Sequence, residues 1–172
     1  MLAITLRAIK SLQYIFCVLR EYLNVIKLVC VGRLKEDYLA KAAAEYLKRI
    51  GWYGRIEVVE LRECAERNVE VAKREEGKHI LGKIGGLEDY FKVVLDSGGK
   101  QFSSEEFSRL LGKQNLFFVI GGPNGVSEDV LSEADLVLSL SKMTFTHQMV
   151  RVFLLEQVYR GYTILSKESY HK

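Results

Sequence analysis

Five short runs rich in Val, Ile, Leu and Phe recur along this chain, and a segment with helical spacing follows each one. The runs are NVIKLVCVG (24–32), RIEVVELRE (55–63), YFKVVLDSGGKQF (90–102), NLFFVIGG (115–122) and DLVLSLS (135–141). Apolar runs of this length, bounded by glycine or charge, read as strands. The segments between them, 35–51, 66–86, 103–113, 127–134 and 147–165, read as helices. Ser103 with Glu106 three residues on forms a capping-box signature, and Ser127 is expected to cap the next helix. In the second helix Val69, Ala72, Ile80 and Ile84 mark the apolar side. Strict β-α alternation predicts an α/β fold: one parallel sheet with helices on both faces.

The last helix, HQMVRVFLLEQVYRGYTIL, is apolar around nearly its whole circumference. A small sheet covers only one side of such a helix, so a homodimer interface is expected on the other.

The single proline of the chain, Pro123, lies in FFVIGGPNGVS at the end of the fourth strand. Glycine clusters after strands invite a nucleotide reading, but this one is no P-loop, because no G-K-[ST] follows. Nor is it G-x-G-x-x-G, and the turn after the first strand, CVGRLK, has one glycine only. What remains is three loops at the carboxyl ends of strands three, four and five: VLDSGGK, VIGGPNG and LSLSKMTFTHQ. In open parallel sheets ligands bind there. Loops of this kind offer backbone N–H and C=O groups and little charge, which suits an adenine edge and a ligand that is itself positive.

Charge says little about partners. The chain of 172 residues carries a net +3, of which the first 23 residues hold +2. That is weak support for RNA binding through bulk electrostatics. Three scattered cysteines and three histidines form no metal pattern, and the cysteine usage fits reduced thiols in the cytoplasm. The leader MLAITLRAIKSLQYIFCVLREYL (1–23) is too broken to span a bilayer and lacks a cleavage site. An amphipathic helix at a membrane or partner surface is one reading of it. A native start near Leu23 is the preferred one, with 24–172 as a single domain.

IGGPNGVS, LSLSKMTFTHQMVRVFLLEQVYR and the terminal YHK resemble the RlmH family of SPOUT-class methyltransferases, from about Asn24 to Lys172. The resemblance implies a C-terminal trefoil knot, an exception to the usual absence of knots. It implies S-adenosylmethionine as cofactor, a homodimer, and N3 of a pseudouridine in large-subunit 23S ribosomal RNA of the assembled ribosome as substrate. Leu95, Gly121, Gly122, Leu140, Ser141, Lys142, Met143, Thr144 and Phe145 would then line the cofactor pocket. Pro123 would fix the turn, with Gly122 and Gly125 in unusual dihedrals beside it. His171 would be the general base and Tyr170 would stack on a base, while Arg151, Arg160 and Lys172 would meet RNA or the partner subunit. His147 is read as structural. Where the family has prolines flanking the histidine, this chain has Thr146 and Gln148. A module that binds S-adenosylmethionine or a nucleotide and docks on the ribosome without catalysis is the competing class.

Overall fold

The computed structural model describes residues 25–112 and 115–172, so the leader reading lies outside the described residues. Five strands form one parallel sheet: β1 (Val25–Val31), β2 (Arg55–Leu61), β3 (Tyr90–Gln101), β4 (Asn115–Ile120) and β5 (Leu136–Ser139). Their spatial order is β2-β1-β4-β3-β5. The helices are α1 (Asp37–Ile50), α2 (Val69–Ile84), α3 (Ser104–Leu111), α4 (Glu128–Ser132) and α5 (His147–Leu165).

The central strands are apolar on both faces because both are covered. Alternate residues of β1 and β4 point to opposite sides. Ile26, Leu28, Leu116, Phe118 and Ile120 enter one core, together with residues of α1, α3 and α5. Val29, Val31, Phe117 and Val119 enter the other, with Ile80 and Ile84 of α2 and Val130 of α4. The layering is lopsided, with three helices on one face and two on the other. β2, at one margin, carries Arg55, Glu57 and Glu60.

Several expectations need correction. Strand β3 does not give way to a free loop at Asp96. It stays extended to Gln101, and Leu95 and Lys100 both pair with Leu138, so 96–99 bulge out of the ladder. At Gly99 an added Cβ would sit 2.7 Å from backbone atoms of Val137 and Leu138, so β5 passes against bare backbone there. Ser127 occupies the N-cap of α4 but makes no capping hydrogen bond. Val69 is 47% exposed rather than buried, while Ala72, Ile80 and Ile84 are buried as expected. The Ser103–Glu106 capping box is present in both directions, and α5 runs over the expected 147–165.

Candidate active site

The sheet order fixes where a ligand can enter. From β1 the chain crosses outward to β2, while from β4 it crosses the other way, past β3, to β5. The carboxyl ends of the adjacent β1 and β4 therefore lie at a switch point, the usual position of a binding crevice. A cavity of about 950 Å³ opens at this edge, within the size range of small-molecule sites.

Leu95, Gly121, Gly122, Leu140, Ser141, Met143, Thr144 and Phe145 all line this cavity, whereas Lys142 is exposed and does not. Ile120 and Leu138 add to its apolar floor. The turn after β4 closes with Gly125 N–H donating to Gly122 O at 3.0 Å. Pro123 and Asn124 are the central residues, in the positions a tight turn favours. Of the two glycines expected to need unusual dihedrals, only Gly125 has positive φ, at 82°. Gly122 is required for a different reason: a Cβ there would lie 2.8 Å from Glu76 Oε2. At Gly121 a Cβ would meet Gly125 O at 2.6 Å, because the turn folds back over it.

The segment 139–146 is shaped from within. Ser139 Oγ donates to Ser141 O at 2.8 Å, and Met143 N–H donates to Ser141 Oγ at 3.0 Å. Phe145 packs edge-on against Phe153 of α5, with ring centroids 5.0 Å apart. Thr146 caps α5 by accepting Met149 N–H, and Gln148 Oε1 accepts Lys35 N–H at 2.9 Å. Hydrogen bonds thus hold the positions flanking His147. His147 itself starts α5, with Nε2 at 3.5 Å from Glu63 Oε1, and Glu63 Oε2 takes Lys35 Nζ at 2.9 Å. This trio ties the ends of β1 and β2 to the start of α5, in keeping with a structural role for His147.

Sequence reasoning missed the contribution of the β1–α1 turn. Glu36, Tyr38 and Leu39 line the cavity from that side. The rule that ligands sit beyond parallel strand ends would have included them, but no glycine cluster drew attention there. Tyr38 (65% exposed) and Met143 (71% exposed) are large apolar side chains among the cavity's lining residues.

The residues expected to do chemistry or meet RNA lie elsewhere in the chain. Arg151 is 6% exposed, and its Nη2 donates to Glu60 Oε1 at 2.7 Å, so it is an internal ion-pair partner rather than a free RNA contact. Arg160 grips Glu156 through Nε at 3.0 Å and Nη2 at 2.5 Å, and its guanidinium lies over the Tyr170 ring. Tyr170 donates to Glu156 Oε1 at 3.1 Å and packs edge-on to Tyr159. Burial first, then bonding to Tyr46 and the charge of Glu156, push its phenol well above the usual range, so it keeps its proton. His171 Nε2 lies 3.0 Å from Glu105 Oε1, and Nδ1 is 3.5 Å from Arg160 Nη1. A neutral imidazole with its proton on Nε2 satisfies both contacts. Glu105 is held down at about 2 by a backbone hydrogen bond, then by Ser103 and His171. Lys172 is exposed. None of these residues lines the cavity. Among the described residues no cluster of His, Cys, Asp and Glu could hold a metal, and no helix is long and apolar enough to cross a membrane.

Residues 25–171 match a family model described as "Predicted SPOUT methyltransferase". The chain belongs to the SPOUT methyltransferase family. Its relatives include the ribosomal RNA large subunit methyltransferase H of Clostridium beijerinckii, 44% identical over 86% of this chain and 99% of the relative. The protein of the same name from Enterococcus faecalis is 43% identical over the same shares. Among solved structures, a probable methylase family protein from Haemophilus influenzae superposes with a TM-score of 0.50 at 11% identity, covering 83% of this chain and 66% of that one. That likeness concerns the fold alone.

Proposed function

We propose that this SPOUT methyltransferase transfers a methyl group from S-adenosylmethionine to N3 of a pseudouridine in large-subunit ribosomal RNA of the assembled ribosome. The names of its relatives, which specify large-subunit ribosomal RNA, support the substrate. The observation that carries the reading is the convergence of Leu95, Gly121–Gly122 and 140–145 on one cavity. Its walls suit the donor: apolar Leu95, Ile120 and Leu138 for the purine faces, and backbone of the turn and of 140–145 for its edges. When bound, the donor supplies an electrophilic methyl on a sulfonium. The trefoil knot is part of this reading.

The chain's own task is alignment and removal of the N3 proton. His171 is the candidate base, at Nδ1, which among the described residues makes only the long contact to Arg160. In this structure that nitrogen lies beside Arg160, outside the cavity of its own chain. The proposal places the tail in the cavity of a second copy, and the homodimer is part of it. The half-buried Met149, Val150 and Phe153 of α5 supply apolar surface for that contact.

The test is methylation of ribosomes by wild type, His171→Ala, Tyr170→Phe and a chain cut after Ser169, with donor affinity measured in parallel. Loss of turnover with donor affinity retained is expected for His171→Ala and the truncation. Mixing a tail-less chain with a cavity-defective one should restore activity in the heterodimer. Unchanged turnover in all three variants removes the tail from the mechanism. Donor binding without any transfer by wild type would favour the non-catalytic docking module instead.

A further inference from the structure

Behind the turn after β4 lies a carboxylate that the alignment role leaves unused. Glu76 sits mid-way along α2 between the buried Ala72 and Ile80, each four residues away, and is 5% exposed. Oε1 accepts Cys64 N–H at 2.9 Å. Among the described residues Oε2 is shielded from solvent and has no hydrogen-bond partner. Among the described residues no cation forms an ion pair with either oxygen. The neighbour of Oε2 is Gly122, where a Cβ would come within 2.8 Å of it. Gly122 lines the cavity, so one residue of bare backbone separates that cavity from the carboxylate.

A carboxylate buried without a cation is costly. Folds keep such groups where function compensates, and the compensation available here is a positive charge on the far side of Gly122. We propose that Glu76 senses the charge of the sulfonium, favouring the methyl donor over the neutral thioether left after transfer. The inference rests on the S-adenosylmethionine reading above. In a shielded site a charge acts across several ångströms with little screening. Once the methyl has gone the attraction vanishes, which loosens the product. The carboxylates that line the cavity directly are placed differently. Glu36 is exposed to water, and Asp96, half-exposed, already accepts Gly98 N–H at 2.8 Å. Glycine at 122 keeps the wall thin enough for the deeper charge to matter.

The experiment is calorimetry of the full chain with S-adenosylmethionine and with S-adenosylhomocysteine. Glu76→Gln keeps the shape and the acceptor for Cys64 N–H but removes the charge. It should weaken the methyl donor on the order of tenfold, about 1.4 kcal/mol, and the thioether by less than about twofold. Glu76→Asp should retain most of the preference, and Glu36→Gln should leave the ratio of the two affinities unchanged. Equal losses for both ligands in Glu76→Gln, or no loss, overturn the inference. If Glu76→Gln does not fold, Gly122→Ala carries the test, because its Cβ displaces the carboxylate. The ratio must fall there too, and an unchanged ratio is equally fatal. Wild type that binds neither ligand sinks the donor reading itself, a result distinct from equal losses in the variant.

Discussion

Gly99→Ala is the substitution for which the structure gives the sharpest number. The new Cβ would meet the backbone carbons of Val137 and Leu138 and the carbonyl oxygen of Val137, all at 2.7 Å. Ordinary contact begins near 3.4 Å, so β5 must recede by about 0.7 Å, or β3 must bend away from it. No flexible side-chain end can absorb that movement, because every atom met is main chain. Overpacking a filled interior costs about 1–3 kcal/mol, and the absence of a soft partner puts this case at about 2–3 kcal/mol. For a chain of this size each kcal/mol lowers the melting midpoint by about 2–4 °C, so the expected drop is about 4–12 °C. Urea denaturation followed by circular dichroism, with unchanged slope, gives the free energy directly. Gly82→Ala is the matched control: it is an exposed position of α2 with nothing described within 4 Å, and it should stabilise by up to about 1 kcal/mol. A Gly99→Ala protein within about 0.5 kcal/mol of wild type would refute the close passage of β5 along β3.

Gly125→Ala meets no atom within 4 Å, so its cost is the φ of 82° alone; about 1–2 kcal/mol is expected by urea titration, with a matching loss of donor affinity. Burial pushes the Cys30 thiol up to about 12, outweighing the opposing charge of Arg151. Cys30 should therefore resist iodoacetamide at pH 8 in the folded chain and react on unfolding, as read by peptide mass mapping. Burial likewise raises Tyr162 to about 12 from an ordinary 10. Unfolding frees the phenol to ionise first, so the stabilisation is complete below about pH 10 and is lost as pH rises to about 12. Tyr162→Phe should flatten that part of a stability-against-pH curve.

The strand and helix pattern was legible from different signals: β1 and β4 are short apolar runs that end in glycine, and α1 shows a 3.6-residue period on its buried face. Caps were partly legible. The Ser103–Glu106 pair needs only local geometry and forms, whereas Ser127 meets its helix in the right place but its hydroxyl is packed toward Gly77. Strand order was beyond reach, since alternation constrains handedness but not which neighbour each strand takes. The loops lining the cavity could be named from glycine content and family likeness. Glu36 and Tyr38 were passed over because the β1–α1 turn carries no glycine cluster, although it too lies beyond a strand end. Arg151 misled because a cation in a polar-looking position gives no sign of its distant partner Glu60. Glu76 hid in a charged helix where its burial has no local signature.

The margins of the sheet have a consequence for how copies of the chain meet. β2 carries Arg55, Glu57 and Glu60 across its two faces, and β5 offers only four residues. Charged or very short border strands are poor templates for strand addition. Crowding thus brings few cross-chain ladders.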